Sequence, residues 1–241
     1  MPKLEISRVH DAYAGGGECP LCVLMEGAER AYLASFQHSR VMEPNVRVQT
    51  NKTGFCPDHL GKLFQGENKL GLALVMLTHL QEKLPSLVSA LDGTVTAAEG
   101  GRRDAEARIR ATIQSLETMR DDCFICGLLS QDLERYTWTI LYLWRKDRDF
   151  AAVFRASRGF CLSHFCAVLQ SALSVLRQDR LAAWLRDAVP LMAGSLGKLE
   201  KDLAAFTQLY QAGNRSLGTD DERSALARTL QKLSGRIHRP G

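Results

Sequence analysis

The chain has 241 residues, enough for one large domain or two smaller ones with a real core. Hydrophobic residues make up 45% and charged residues 24%, and the net charge of +4 does not by itself demand a nucleic-acid or membrane partner. The N-terminal stretch MPKLEISRVH lacks the apolar segment of a secretory signal, and the longest apolar run, residues 70–77, is too short to span a bilayer. We therefore expect a soluble, cytoplasmic protein with no membrane partner. In that reducing compartment the seven cysteines are expected to be metal ligands or free thiols.

Helical periods dominate the first part of the chain. Leu24, Ala28 and Phe36 recur at the spacing of one helix face. Residues 45–51, NVRVQTN, alternate apolar and polar side chains, which predicts an extended connection or a short edge strand. The run that begins at Lys69 predicts a long, well-buried helix, with Pro85 as a kink or break.

Further helices are predicted beyond a stretch rich in Gly, Thr and Ala at residues 91–101, which we interpret as a join between two halves. Thr219 and Glu222 form a capping-box pattern that predicts the start of another helix. Three apolar stripes at bundle-type spacing support these helices. They comprise Ile109, Ile113, Leu116 and Met119; Leu196, Leu199, Leu203, Phe206 and Tyr210; and Leu226, Leu230 and Leu233.

The two halves repeat the same cysteine and histidine pattern. CPLC at residues 19–22 recurs as CFIC 104 positions later, and GFCPDHL at residues 54–60 recurs as GFCLSHF 105 positions later. Such repetition indicates that each half is one structural unit. We predict an all-α helical bundle of two pseudo-repeated halves, each with a Cys3His metal site. The first repeat covers residues 1–92, residues 93–101 are the linker, and residues 102–241 hold the second repeat and the C-terminal helices.

Each half contains a C-x2-C pair and, 33 or 34 residues later, a C-x2-H pair. Two ligands three residues apart face the same side of a helix's first turn, so each pair can act as a bidentate clamp. Pro20 and Pro57, each next to a cysteine, support a position at the start of a helix. Two such clamps complete the closed Cys3His tetrahedron typical of structural zinc. Helix dipoles would stabilise the resulting net charge of −1.

The spacing predicts two zinc sites, each made within one half. The first would be Cys19, Cys22, Cys56 and His59. The second would be Cys123, Cys126, Cys161 and His164. Distance along the chain does not decide the pairing, so an arrangement in which a clamp of one half completes the site of the other stays open.

Other uses of these residues were weighed against zinc. A redox C-x2-C of the thioredoxin type needs a βαβ context that the chain lacks, and the spacings of ferredoxin clusters are absent, although ligand softness leaves an iron–sulfur cluster open. Buried, unliganded cysteines are the remaining interpretation. Cys166 is left over and is expected in the core. Four histidines have no partner at ligand spacing and are expected to be surface or core residues: His10, His38, His79 and His238.

Closed four-ligand sites lack the open position of catalytic zinc, so no catalytic residue is predicted and the chemistry leans away from an enzyme. We expect a non-enzymatic zinc protein that binds a protein partner or a small ligand. A redox or metal-handling protein with an iron–sulfur cluster or reactive thiols is the alternative. Nucleic-acid binding comes third and would use the basic run Arg223, Arg228, Lys232, Arg236 and Arg239.

The order of several segments resembles an uncharacterised bacterial family, domain of unknown function 6062, over nearly the whole chain. These segments are CPLC, MEPNVRVQTNKTGFCPDHL, NKLGLALVMLTHL, CFIC, RGFCLSHF and DLAAFTQLY. The resemblance implies a bacterial, cytosolic origin. It implies no reaction, substrate or partner.

Overall fold

The structure is a computed structural model that describes residues 4–38, 40–211 and 217–235. Within these ranges it contains twelve α-helices, one 3-10 turn and no strand, so the predicted all-α class is confirmed. In chain order the helices are α1 Ile6–Ala14, α2 Pro20–Gln37, α3 Pro44–Thr53, α4 Pro57–Gln65, α5 Lys69–Gly100, α6 Arg102–Asp121, α7 Phe124–Lys146, α8 Arg148–Ala156, α9 Leu162–Val175, α10 Gln178–Gln211, α11 Asp220–Arg223 and α12 Ala225–Ser234, with the 3-10 turn at Arg40–Met42.

The chain divides into two compact units that are nested in sequence. Unit 1 consists of Met1–Gly27 and Gln131–Gly241, and unit 2 is the continuous segment Ala28–Ser130. Helices α2 and α7 each begin in one unit and end in the other. The predicted linker at residues 93–101 falls inside unit 2, because its first eight residues complete α5. The division into repeats at residues 1–92 and 102–241, and the internal repetition itself, stay predictions.

The core of unit 1 is built from large aromatic and aliphatic side chains. Trp184, Phe154 and Ile140 are fully buried there. The ring centroids of Phe154 and Phe160 lie 6.1 Å apart, within the range of favourable aromatic contacts. Three of the predicted ligands, Cys19, Cys22 and Cys161, belong to the same cluster. The core therefore reaches directly to the predicted metal ligands of this unit.

Unit 2 has its own, smaller core around three phenylalanines. The ring of Phe36 makes edge-to-face contacts with Phe55 at 5.4 Å and with Phe124 at 5.7 Å. Val75 of α5 is buried in the same cluster, as is Cys123. Since Phe55 and Phe124 each lie next to a predicted ligand, this core also ends at the candidate site.

Predictions about local structure were wrong in α3 and α5. The alternating segment NVRVQTN lies in α3, because Pro44 at the first helical position favours a helix and Val46 and Thr50, four residues apart, bury one helical face. The segment therefore follows the helical period and not the strand period. Of the kink or break predicted at Pro85, the break does not occur, because α5 continues through it to Gly100. The same helix was expected to be well buried, but its buried residues are Gly71, Val75 and His79. None of the helices in the described parts of the chain is long and apolar enough to cross a membrane.

Two of the predicted core-facing stripes are on the surface instead. In α6, Ile109, Ile113 and Leu116 are between 40% and 48% exposed. In α12 the leucines at 226, 230 and 233 are also exposed, whereas Arg228 and Lys232 are buried. Helix α12 thus turns its cations inward. The reason is the buried carboxylate of Glu18, with which both cations form ion pairs.

Candidate metal centres

The structure brings the eight predicted ligands together in two groups of four. Centre 1, in unit 1, consists of Cys19, Cys22, Cys161 and His164. Centre 2, in unit 2, consists of Cys56, His59, Cys123 and Cys126. In each group the four donor atoms lie within 4.8 Å of one another, so both groups could hold a metal ion. That these residues bind a metal stays a prediction.

The predicted pairing within each half was wrong, and the open alternative with exchanged clamps is the one found. Each C-x2-C pair meets the C-x2-H pair of the other half. Centre 2 closes a segment of 63 residues between its clamps, and centre 1 closes one of 138 residues. Loop-closure free energy rises by only about 0.6 kcal/mol for each doubling of loop length, so the shorter gaps of 33 and 34 residues carried little preference.

All four clamps lie at the start of a helix, as the sequence predicted. Cys19, Cys56, Cys123 and Cys161 each directly precede the first residue of a helix, α2, α4, α7 and α9 respectively. The second ligand of each clamp is then the third helical residue. Backbone N–H groups reach the sulfurs, since those of Cys126 and His164 lie 3.4 and 3.5 Å from the Sγ atoms of Cys123 and Cys161. Two helix N-termini therefore face each centre, which favours a negatively charged metal–thiolate group.

The repeated Gly-Phe-Cys phrase has a structural reason at each centre. Gly54 and Gly159 adopt φ of 64° and 72°, a left-handed conformation that side chains with a Cβ rarely adopt. Phe55 and Phe160 then enter the cores, at 4% and 1% exposure. In centre 2 the carbonyl of Gly54 also accepts a hydrogen bond from the backbone N–H of Phe124 at 3.0 Å. This bond joins the two clamps directly.

The distances between donor atoms match those of a tetrahedral zinc site. Zinc–sulfur bonds of about 2.3 Å and zinc–nitrogen bonds of about 2.0 Å give tetrahedral edges of about 3.8 Å between sulfurs and about 3.5 Å between sulfur and nitrogen. In centre 1 the Nδ1 atom of His164 lies 3.2–3.5 Å from the three sulfurs, and Cys22 Sγ lies 3.7 Å from Cys161 Sγ.

Centre 2 repeats this geometry closely. The Nδ1 atom of His59 lies 3.3 Å from Cys56 Sγ, 3.3 Å from Cys123 Sγ and 3.4 Å from Cys126 Sγ. The Sγ atoms of Cys56 and Cys126 are 3.7 Å apart. Both centres use Nδ1 of the histidine toward the sulfurs, and both surround a volume suited to a single ion.

Without a cation, the three thiols of either centre do not readily ionise together. Hydrogen bonds with Cys161 and Cys19 raise the pKa of Cys22, whereas hydrogen bonds from Cys19 and Cys22 lower the pKa of Cys161. Burial, together with Cys123 and Cys56, raises the pKa of Cys126 to about 12. A metal ion that binds here must displace these protons and supply the compensating charge, as is usual for thiolate ligands.

A carboxylate orients the histidine of centre 2. The Nε2 atom of His59 lies 3.0 Å from Glu29 Oε1, opposite the ring nitrogen that faces the sulfurs. Lys62 donates hydrogen bonds to Glu29 and Asp58, both at 2.7 Å. A carboxylate that accepts the second N–H of a ligating histidine fixes its tautomer and raises its basicity. Glu29 was not predicted from the sequence, because it lies on α2, 30 residues from His59, and no spacing rule connects the two.

A buried network of charges surrounds centre 1. Glu18, directly before Cys19, is 3% exposed and forms ion pairs with Arg158 at 2.9 Å and with Arg228. Burial alone would raise the pKa of Glu18, but these hydrogen bonds and the charge of Lys232 lower it. Asp202 and Asp221 complete the pairing of Arg228. The sequence carries no local signal for this network, because Arg158 and Arg228 lie 140 and 210 residues from Glu18 along the chain.

Lys232 is fully buried and connects the two clamps of centre 1. Its ammonium group donates to the backbone carbonyls of Glu18 at 3.1 Å and Arg158 at 2.6 Å, residues that precede the two clamps. Gly235 caps the C-terminus of α12, and its carbonyl lies 3.3 Å from Cys22 Sγ. Because Arg228 and Lys232 are buried and paired with Glu18, they are not available for the basic run considered above for nucleic-acid binding. Arg236 and Arg239 lie outside the described residues.

The remaining predictions have mixed outcomes. Cys166 is exposed, so its predicted place in the core was wrong. His79 is buried and its Nδ1 atom lies 2.8 Å from the carbonyl of Asn51, as expected of a core histidine. His10 and His38 are exposed. His238 lies outside the described residues.

Comparison with known proteins adds a family and no activity. The model of the family of unknown function DUF6062 matches residues 2–240. The chain belongs to the DUF6062 family. No curated protein and no solved structure matches it.

Proposed function

We propose that this DUF6062 protein is a non-enzymatic, zinc-binding helical protein in which both metal ions are structural. The observation that carries the proposal is the closed donor set of each centre, with three sulfurs and one nitrogen at tetrahedral spacing. Catalytic zinc keeps one position for water or substrate, whereas four protein ligands fill the coordination sphere. The ions then act as cross-links that hold pairs of helix starts together.

The connectivity of the clamps supports a structural role. Centre 1 links the beginning of α2 to the beginning of α9, and centre 2 links the beginning of α4 to that of α7. Each link closes a long segment of its own unit. A structural zinc site contributes its binding free energy to folding. In unit 2 this contribution would compensate for the small aromatic core. In unit 1 it would compensate for the free-energy cost of closing a long chain segment.

The biological role that follows is that of a partner- or ligand-binding module in the bacterial cytoplasm. All seven cysteines are free thiols, which fits a reducing compartment. Helix faces with exposed leucine, isoleucine and valine side chains on α5 and α6 favour a protein partner over nucleic acid. The burial of Arg228 and Lys232 argues in the same direction.

The alternative is a redox or metal-handling role, and one observation favours it. Cys126 of centre 2 is exposed, so an oxidant or another thiol can reach its sulfur. An iron–sulfur cluster fits less well, because its cysteines bind several irons and are spread more widely than donors within 4.8 Å of one another. A single zinc ion accounts for the short distances.

The test is elemental analysis of the full chain purified anaerobically without added metal. We expect a colourless protein with about two zinc ions per chain. Cys56→Ala should retain about one, because it removes a ligand of centre 2 only. The matched control is Cys166→Ser, which should retain both. A brown, iron-containing protein, or full zinc content in Cys56→Ala, would overturn the proposal.

A further inference from the structure

Helix α5 carries an uncovered apolar stripe along almost its full length. Its large members are between 45% and 72% exposed, and all lie within about 80° of arc around the helix at about 100° per residue. No charged side chain interrupts this arc. The stripe, called the α5 stripe below, consists of Leu70, Ala73, Leu77, Leu80, Leu84, Val88, Leu91, Val95 and Ala98.

The α5 stripe reads the same in both directions from Leu84. Leu80 and Val88 lie four positions to either side, and Leu77 and Leu91 lie seven positions to either side. The pattern continues with the pairs 73/95 and 70/98. An antiparallel pair of identical helices centred on Leu84 would therefore bring every member of the stripe opposite another apolar member. Two-fold interfaces require this self-complementarity, since each residue meets its mirror position on the second copy.

The stripe points away from the rest of unit 2. Val75 and His79, on the opposite side of α5, are buried, and α3 packs against this helix. Thr112 of α6 donates to the carbonyl of Ala90, about 120° around the helix from the stripe. The helical rotation of α6 puts its own exposed apolar residues, Ile109 and Ile113, on the same side of the α5–α6 hairpin as the stripe.

The exposed area is close to what a stable dimer needs. Seven large aliphatic side chains that are about half exposed, the two alanines and the α6 residues offer roughly 800 Å² of apolar surface. A specific interface of standard size buries about 800 Å² on each partner. An uncharged surface of this size is larger than the patches that monomers usually expose.

We propose that the α5 stripe is the interface of a homodimer, in which two copies of this chain pair their α5 helices antiparallel about Leu84. The proposal is independent of the metal that centres 1 and 2 bind. The other possible occupant, an apolar helix of a different protein, would not require the mirror symmetry of the stripe. It is distinguished by the mass of the purified chain.

The first experiment measures the mass of the full chain by sedimentation at micromolar concentration. We expect twice the chain mass of 26.8 kDa. In the dimer, Leu84→Asp places two negative charges next to each other at the two-fold axis. The substitution should weaken dimerisation at least about 30-fold, as loss of an interface hot spot does. The matched control is Leu173→Asp, at a position 71% exposed on α9 of unit 1, which should leave the dimer intact. Zinc content and far-UV circular dichroism show that both variants are folded.

The second experiment tests the antiparallel register with a short bismaleimide in a Cys166→Ser background. Leu84→Cys should cross-link to itself. Leu91→Cys should not, but it should cross-link to Leu77→Cys on a differently tagged chain. The Cys166→Ser chain alone reports any background from the exposed Cys126. A monomeric wild-type chain, a dimer unaffected by Leu84→Asp, equal loss in Leu173→Asp, or self-cross-linking of Leu91→Cys would each overturn the proposal.

Discussion

Centres 1 and 2 use the same donors in the same geometry, but their surroundings differ. In centre 1 the cysteines are between 0% and 3% exposed, and ion pairs that converge on the buried carboxylate of Glu18 lie behind the clamps. In centre 2 Cys126 is exposed and Cys56 is half-buried, and the principal support is a single carboxylate, Glu29, on His59. We therefore expect that the ligands alone do not determine how tightly each centre would retain a metal. Solvent access and the second layer of hydrogen bonds do so.

This comparison can be tested in solution because all three tryptophans, at positions 138, 144 and 184, belong to unit 1. Tryptophan fluorescence therefore reports on centre 1 and its unit. Far-UV circular dichroism reports on the helices of both units. Zinc content completes the set of measurements, and together the three assign an effect to one centre or the other.

The largest effect is expected from removing one thiolate of centre 1. Cys22→Ser should release about one zinc per chain and lower the free energy of unfolding of unit 1 by about 4 kcal/mol or more, because a buried metal cross-link is lost. Cys126→Ser in centre 2 should also release zinc, but its exposed position permits hydration of the remaining polar groups, and we expect about half that cost. Denaturant titrations followed by both optical signals measure the difference. Equal losses in the two variants would contradict the comparison.

The next effect concerns the buried charges behind centre 1. Glu18→Gln leaves Lys232 and Arg228 without their shared carboxylate, and breaking a buried ion pair on one side costs about 3–5 kcal/mol. We expect the midpoint of the tryptophan-detected transition to fall accordingly. Glu106→Gln, which removes an exposed pair with Arg110, is the control and should change stability by less than about 1 kcal/mol.

A double variant separates this charge effect from loss of packing. Lys232→Met combined with Glu18→Gln removes both charges and should recover part of the stability lost in Glu18→Gln alone. If the double variant is no more stable than Glu18→Gln, the network does not act through an uncompensated charge. In that case the inward orientation of α12 would need another cause.

The third effect should be confined to centre 2. Glu29→Gln weakens the acceptor for the Nε2 N–H of His59, and loss of such a partner lowers metal affinity by about 10–100-fold. Competition with a chromogenic zinc chelator measures the change, which should affect one of two zinc ions. Asp58→Asn removes the other carboxylate paired with Lys62 and should change the affinity by less than about threefold. A loss of affinity at both centres would show that their surroundings are not separate.

The local structure of both centres could be predicted from sequence, whereas their pairing could not. Proline after Cys19 and Cys56 fixes a helix start through local sterics, and the C-x2-C and C-x2-H spacings follow from one helical turn. Which clamps meet is decided by long-range packing. Closure free energy depends only weakly on loop length, so the spacings in the sequence carry no signal for which clamps meet.

The same limit explains the errors at α3 and α12. In α3, Val46 and Val48 suggested a period of two, but only Val46 is buried, and Thr50 completes a helical face with it. In α12, leucines at helical spacing suggested a core face. Lys232 is instead buried because Glu18, more than 200 residues away, supplies a carboxylate that no local pattern reveals.

The smallest expected difference lies between two glycines that have the same role. Gly54→Ala and Gly159→Ala both introduce a Cβ at positive φ, which costs about 1–3 kcal/mol in each case. At Gly54 the new Cβ would lie 2.8 Å from the His79 ring, which is buried and held by its contact with Asn51. At Gly159 it would lie 2.7 Å from the sulfur of Met192, which is also buried and accepts from the Phe160 N–H, but whose unbranched side chain has more rotatable bonds than a ring.

We therefore expect Gly54→Ala to cost about 1 kcal/mol more than Gly159→Ala, because a fixed ring relieves overpacking less easily than a thioether does. Circular dichroism and the rate of zinc release from centre 2 report on the first variant, and tryptophan fluorescence reports on the second. His79→Ala combined with Gly54→Ala removes the obstructing ring. The cost of Gly54→Ala in the His79→Ala background should fall to that of Gly159→Ala. If it does not fall, backbone strain and not the ring accounts for the requirement for glycine at this turn. The two centres would then be equivalent in this respect.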